Sequence, residues 1–202
     1  MLPIYRALHD ANEWVSARLT RGIRPLTQRE FEDMTRRFPY YEGRWSYTSA
    51  AMALATELIK RRHLRTALEL GAPLRPIIVG AHVMDVTARP ELDPRVPITV
   101  HDATQEPWPF DNKSYDLFVA LQVFEHLGDR QPEAFHEVRR IARNAIISLP
   151  IDWEMDDPTN CHHRIPNERV LSWFAPIVPT RVIEGSGGKR RRLIYVFEDL
   201  PA

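Results

Sequence analysis

Tyr115-Asp116-Leu117-Phe118-Val119-Ala120-Leu121-Gln122-Val123-Phe124-Glu125-His126-Leu127 is the stretch on which the reading of the fold turns. Its first half, Tyr115–Leu121, is a short run of aromatic and aliphatic residues that reads as a strand. A helix from about Pro132 to Ala142 follows, with Phe135, Val138 and Ile141 as its apolar stripe and Asp129 ahead of Arg130-Gln131-Pro132 as its start. A second β-rich run, Ala145–Leu149, comes next. Upstream, Thr66–Leu70, Ile78–Met84 and Val96–Val100 are further runs of the same kind. Strands that alternate with helices predict a parallel sheet covered by those helices.

Farther out, Ser46 or Thr48 can close the amino end of a helix reaching about His63, with Met52, Ala55, Leu58 and Ile59 on its core side. Downstream, a helix over Asn167–Phe174 precedes two strands, Arg181–Glu184 and Leu193–Phe197, joined through Gly185-Ser186-Gly187-Gly188. That join predicts an antiparallel hairpin. The segment before residue 46 carries helical spacing (Trp14, Leu19; Phe31, Met34, Phe38) and the aromatic run Pro39-Tyr40-Tyr41-Glu42-Gly43-Arg44-Trp45. It reads as a helical cap, 1–45, on a core of 46–202 within one domain.

Composition narrows the function. Lys+Arg and Asp+Glu are 27 each, so no field of one sign recruits nucleic acid or an anionic membrane. The partner expected is a small molecule or an oligosaccharide, and assembly into a homo-oligomer is left open. Cys161 is the sole cysteine, which excludes an intrachain disulfide and reads as a buried structural thiol in a reducing compartment. No run approaches the roughly 18 apolar residues of a membrane span, so a soluble, cytoplasmic protein is expected.

Four stretches in order resemble the class I S-adenosylmethionine-dependent methyltransferases of the type 11 kind. They are Ala67-Leu68-Glu69-Leu70-Gly71; Val79 to Asp85; His101-Asp102-Ala103-Thr104 with Trp108-Pro109-Phe110-Asp111; and the opening stretch with its Glu-His pair. The resemblance implies a Rossmann-like α/β fold, a mostly parallel sheet ending in an antiparallel hairpin, with S-adenosylmethionine bound at its carboxyl edge. It implies that Glu69 and Gly71 face the methionine end of the cofactor, that Asp85 takes the ribose hydroxyls, that Asp102 and Ala103 hold the adenine, and that Gln122 adjoins the cofactor. A carboxylate accepts from both hydroxyls of a vicinal diol, so Asp85 suits its role. Asp85 and Asp102 can also be strand-end caps, and Glu69 an exposed strand-end charge.

One departure matters. Gly71-Ala72-Pro73-Leu74-Arg75-Pro76 lacks the second glycine and cannot form a helix. A parallel crossover normally takes about a dozen residues, but an extended chain of about 3.3 Å per residue can return the length of one strand. The first crossover is therefore expected to be short and without its helix. Its loss removes the helix amino terminus that would cradle the cofactor's amino-acid half. The cap, through Arg44 and Tyr47, is expected to supply the carboxylate contact instead.

The long polar stretch Asp152-Trp153-Glu154-Met155-Asp156-Asp157-Pro158-Thr159-Asn160-Cys161-His162-His163-Arg164 leaves the carboxyl edge of the sheet, where ligands bind. Asp152 and Asp157 are candidate Mg2+ ligands, and His126, His162 and His163 candidate general bases. A solvated acidic loop with surface histidines is the alternative. Lys189-Arg190-Arg191-Arg192 reads as a solvated turn.

A hydroxyl acceptor needs a base or a cation, which this loop offers; a neutral amine does not. The short first crossover and Arg-rich, Lys-poor composition also resemble actinobacterial sugar O-methyltransferases, and specifically the mycobacterial enzyme family of methylmannose polysaccharide biosynthesis. That resemblance implies O-methylation of a sugar hydroxyl, such as the 1-OH of a methylated mannoside. Two rivals stand beside it. One is a silent, methyltransferase-like binding or regulatory module. The other is an NAD(P)-dependent oxidoreductase, which should carry G-x-G-x-x-G after the first strand.

Overall fold

The computed structural model describes residues 22–72, 74–186 and 190–201. Trp14 and Leu19 of the expected cap, and Gly187 and Gly188 of the hairpin turn, lie outside them.

One short strand that the sequence did not announce, β1 (Arg24–Pro25), precedes the β-rich runs, which become β2 (Ala67–Leu70), β3 (Ile78–Val79), β4 (His82–Asp85), β5 (Ile98–Val100), β6 (Tyr115–Leu121), β7 (Ala142–Pro150), β8 (Arg181–Ser186) and β9 (Arg192–Phe197). Seven form one sheet in the order β5-β4-β2-β6-β7-β9-β8. The pairs from β5 to β7 are parallel, whereas β9 runs antiparallel to both β7 and β8. Its centre is dry: β2 is buried throughout, and only Arg143 of β7 is exposed. Strands covered on both faces need such near-continuous apolar runs.

Among the described residues four α-helices flank the sheet: α1 (Gln28–Arg37), α2 (Trp45–Arg62), α3 (Gln131–Ile141) and α4 (Asn167–Phe174). On one face α3 and α4 enclose an aromatic core with Trp108, Phe118, Phe135, Phe174 and Phe197. On the other, Ala51, Ala55 and Leu58 of α2 join Phe31, Met34 and Tyr41 over Leu117, Val119 and Ile146. None of the helices among the described residues is long and apolar enough to cross a membrane.

Two helix starts differ from expectation. α2 opens at Trp45 with Arg44 as its uncapped N-cap, leaving Ser46 and Thr48 inside the helix. α3 opens at Gln131 behind Arg130, not behind Asp129, with Pro132 in the first turn where its missing N–H costs nothing. The run Ile78–Met84 is two strands, because Gly80 turns the chain at φ +90° and Ala81 N donates to Ile78 O.

That break explains the short crossover. Between β2 and β4 the chain returns without a helix, and β3 pairs antiparallel with β1 (Arg24↔Val79, Pro25↔Ile78). Leu26 N donates to Ile77 O at 2.8 Å, extending the pairing. α1 is anchored beside it: Thr27 and Glu30 close a capping box, and Glu30 also takes Arg24 and Arg75, the latter from the return itself. Residues 24–41 thus cover the return where a crossover helix would stand.

Candidate active site

Strands in register finish at one edge, so the residues just past them converge. Leu70 pairs with Met84 and Ala120, and Asp85 with Val100. Beyond these pairs Gly71, Asp85, Asp102, Ala103 and Gln122 line a cavity of about 510 Å³.

Asp85 is 2% exposed. Its Oδ2 accepts from Arg89 Nε at 2.8 Å and its Oδ1 from Thr87 N at 3.3 Å, fixing the carboxylate in the wall. Asp102 Oδ1 accepts from the amide (2.9 Å) and hydroxyl (2.8 Å) of Thr104, and these bonds hold its carboxyl below the usual carboxylate range. Capping and lining the cavity are thus compatible at this residue. Gly71 takes φ +73°, and a Cβ there would lie 2.9 Å from Val123 Cγ2. Both the conformation and the space demand glycine. Gln122 holds a left-handed φ of +58°, with Nε2 donating to Ser148 Oγ and Oε1 accepting from Arg192 Nε at 3.0 Å. A non-glycine residue held there marks a position fixed by its surroundings.

Glu69 does not join this wall. Its carboxylate turns into the short return, accepting from Ile77 N at 3.0 Å and Ile78 N at 3.3 Å, and burial pushes it up to about 8. The side chain expected to face the methionine end instead supports the backbone that replaces a helix. Arg44 and Tyr47 stand one layer behind the cavity. Arg44 lies 3.9 Å over the ring of Tyr40, itself a cavity residue, and donates to Tyr40 O (2.7 Å) and Tyr47 Oη (3.1 Å).

His126 lines this cavity and also a second, of about 360 Å³, walled by polar side chains such as Gln131, Thr159, Asn160 and Arg169 with Trp173. The loop after β7 folds back onto it. Cys161 Sγ lies 3.2 Å from His126 Nδ1 and 3.4 Å from His162 Nδ1. Cys161 is exposed, not the buried thiol its isolation in the sequence suggested. Burial pushes the His126 and His162 imidazoles down, and lifts the Cys161 thiol with help from nearby Glu125. Glu125 itself is buried, raised to about 8 by desolvation, with neither oxygen hydrogen-bonded; His162 Nε2 stands 3.7 Å from Oε1.

His163 stands outside this cluster but lines the second cavity. Its Nδ1 accepts from Met155 N at 3.1 Å, fixing the loop. Asp157 Oδ1 caps Thr159, and Asp152 is an exposed carboxylate 3.9 Å from Arg191. Neither joins a group of three or more candidate metal ligands among the described residues, so the oxygen-rich set that Mg2+ favours does not form around them. The basic turn is more than solvated: Arg190 and Arg192 stack over Trp153 at 4.7 and 4.5 Å, and Arg192 also over Tyr47. Of the residues that sequence reasoning missed, Arg89 had a faint signal in its i+4 spacing from Asp85. Glu125 stood in the Glu-His pair and Cys161 in the polar loop already singled out, without a role given to either, and Arg192 had no signal, because only folding brings these three together.

The sheet order, its antiparallel β9 and a cavity at the parallel strand ends define a Rossmann-like class I methyltransferase fold. Residues 79–145 match the family described as a methyltransferase domain. Among solved structures, the chain resembles the N-methyltransferase NodS of Bradyrhizobium japonicum bound to S-adenosyl-L-homocysteine. The TM-score is 0.56 at 14% identity, covering 93% of this chain and 97% of that one. It also resembles the 1,6-didemethyltoxoflavin-N1-methyltransferase of Burkholderia thailandensis, at TM-score 0.51 and 12% identity over 84% and 86% of the chains. The carbon methyltransferase CurJ gives 0.52 and 13% over 84% and 59%. No protein of curated function matches in sequence. The domain match and shared fold support an S-adenosylmethionine-dependent methyltransferase, and the cavity fits that cofactor: its volume is within the roughly 300–1,000 Å³ of small-molecule sites, with a buried carboxylate at one end and Leu70, Val86, Val123 and Leu127 to enclose a flat base.

Proposed function

We propose that the chain is an S-adenosylmethionine-dependent O-methyltransferase acting on a hydroxyl of a small sugar or oligosaccharide. The observation that carries this reading is the position of His126 on the walls of both cavities, where donor and acceptor would meet. Amide, hydroxyl, guanidinium and indole groups around the second cavity suit a polyol.

When bound, the cofactor supplies a methyl group on a sulfonium, open to in-line attack. The chain's own residues position it: Asp85 takes the ribose diol, Asp102 and the Ala103 amide the adenine, Gly71 lets the backbone approach, and Gln122 closes the strand end. Arg44, steadied by Tyr40 and Tyr47, reaches for the carboxylate, and the segment up to Trp45 acts as the cap that excludes water. Glu69 contributes by holding the return. Activation of the acceptor hydroxyl falls to His126 and His162, with His163 keeping their loop in place. Positioning supplies most of the rate in such a displacement, and proton removal typically adds about 10²–10⁴-fold.

Labelled methyl transfer to a panel of methylated mannosides, amines and phenols, with and without EDTA, tests the substrate. Turnover confined to amines, the acceptor type of the NodS-like neighbours, would sink the sugar reading. Calorimetry with S-adenosylhomocysteine, NAD and NADP should give heat with the first alone. Silence with all three favours a binding or regulatory module.

A further inference from the structure

Cys161, His126 and His162 come together from two separate segments, the turn after β6 and the loop after β7, and their candidate ligand atoms all lie within 4.8 Å of one another. We propose that the His126 and His162 Nδ1 atoms and the Cys161 thiolate bind a zinc-class divalent transition-metal ion, with Glu125 as the carboxylate behind His162 and a fourth position open.

The distances suit an ion. Tetrahedral zinc at about 2.3 Å from sulfur and about 2.0–2.1 Å from nitrogen sets sulfur and nitrogen ligands about 3.5 Å apart. The two sulfur–nitrogen separations here are 3.2 and 3.4 Å. His162 Nδ1 also lies 2.8 Å from Asn160 Oδ1, a hydrogen bond that coordination at Nδ1 replaces, so the Asn160 amide turns aside as the ion enters. The donor set, two imidazoles and a thiol, is soft and borderline, which favours zinc or cobalt over magnesium.

The second observation is Glu125, a buried side chain with both carboxyl oxygens lacking a hydrogen bond. A buried polar group left so is costly and calls for an explanation. Metal on His162 Nδ1 forces the ring proton onto Nε2, the atom 3.7 Å from Glu125 Oε1. That N–H then faces the orphan oxygen, and a closing of the 3.7 Å gap completes the carboxylate–histidine–metal arrangement that orients ligating imidazoles. Binding balances as the ion gained and the thiol proton released to solvent, the imidazole proton having only changed nitrogen.

His126 and Cys161 are exposed, so an ion can enter. Three protein ligands with an open place describe a catalytic rather than a structural metal site. The open place adjoins the cavity shared through His126, so an acceptor hydroxyl can occupy it and the ion then activates it in place of the free imidazoles; this last consequence rests on the methyltransferase reading, while the metal site does not.

The test is a titration of chelator-treated protein with Co2+, read in the visible and near-ultraviolet. One equivalent should produce tetrahedral cobalt bands and a thiolate-to-cobalt charge-transfer band. Cys161→Ser should abolish the charge-transfer band, His126→Ala and His162→Ala should weaken binding at least tenfold, and Glu125→Gln should weaken it roughly tenfold at unchanged stoichiometry. A thermal melt of each variant checks folding, and exposed Cys161 tolerates serine. Wild-type protein without the charge-transfer band, or equal affinity in Cys161→Ser, overturns the site. S-adenosylhomocysteine calorimetry on the same samples separates the readings: cobalt bound without nucleotide leaves the metal site standing and fells the methyltransferase, and the reverse result does the opposite.

Discussion

The two ends of the larger cavity are built by different means. At the β4–β5 end, Asp85 and Asp102 stand at strand ends, each fixed by neighbours within four residues: Arg89 and Thr87 for one, Thr104 for the other. At the β2 end the wall is a short return held from outside, by Glu69 beneath it and by β1, α1 and the Arg75–Glu30 ion pair above it. Local geometry makes the first end robust. The second depends on contacts distant in sequence, and its response to pH should be opposite in sign to that of the first.

Protonation offers the largest contrast. His82, beside the first end, is buried between Tyr115 Oη (2.7 Å) and Thr99 Oγ1 (2.9 Å), and desolvation lowers it to about 4. Its unfolded form takes a proton near 6.5 while the native form resists, so stability falls as pH drops from about 6.5 towards 4, by about 3 kcal/mol. Glu69 is opposite in sign. Its native carboxyl holds a proton to about 8 while the unfolded one releases it near 4.5, so its contribution is full below 4.5 and is lost as pH rises towards 8, on the order of 5 kcal/mol. Melting temperature against pH should show both slopes, and Glu69→Gln should reduce only the alkaline one, leaving the share of Glu125, which burial also raises to about 8. An unchanged alkaline slope in that variant would refute the role given to Glu69.

Asp85→Ala probes the robust end. Losing two charge-assisted hydrogen bonds to a diol costs about 3 kcal/mol, or roughly 100-fold in the dissociation constant of S-adenosylhomocysteine by calorimetry. The melting temperature should move little, because Arg89 is partly exposed and can rehydrate. A fall in affinity under threefold would remove Asp85 from the ribose site.

What could be read from the sequence follows the same division. β6 and α4 appear at their expected bounds, because an uninterrupted apolar run and an amphipathic turn are local signals. Gly71, Asp85, Asp102 and Gln122 could be picked out through the family resemblance, whose short motifs fall at parallel strand ends. The split of Ile78–Met84 was hidden: Gly80 in a β-rich run signals a bulge or a turn with equal force. Glu69 was recognised as an acid, but its partners are amides of Ile77 and Ile78 that only the return brings to it. The cluster of His126 with Cys161 joins residues 35 apart, and Arg192 reaches Gln122 across 70. No period or spacing announces such contacts.

Gly71→Ala tests the seam between the two ends. A methyl group there meets Val123 Cγ2 at 2.9 Å and must adopt φ +73°, together worth about 2 kcal/mol of stability by denaturant melt. Adding Val123→Ala removes the clash and leaves the backbone strain, so about half the loss should return. Full recovery would mean that space alone requires glycine.

Arg44→Ala is the smallest expected change and the sharpest test of the comparison. Arg44 is half-buried, and its guanidinium is steadied by the Tyr40 ring, Tyr40 O and Tyr47 Oη, not by any carboxylate. A cation held by neutral groups is available to an incoming anion, and a partly solvated pair of this kind contributes about 1.4 kcal/mol, or roughly tenfold in affinity. S-adenosylhomocysteine should therefore bind roughly tenfold more weakly to Arg44→Ala, while adenosine, which lacks the amino-acid half, should bind both proteins alike. Arg44→Lys should fall between, since one ammonium cannot reproduce the forked contact. Equal weakening of both ligands would place Arg44 among the supports of the cavity as a whole, and no weakening of either would return the methionine end to the backbone of the β2–β4 return.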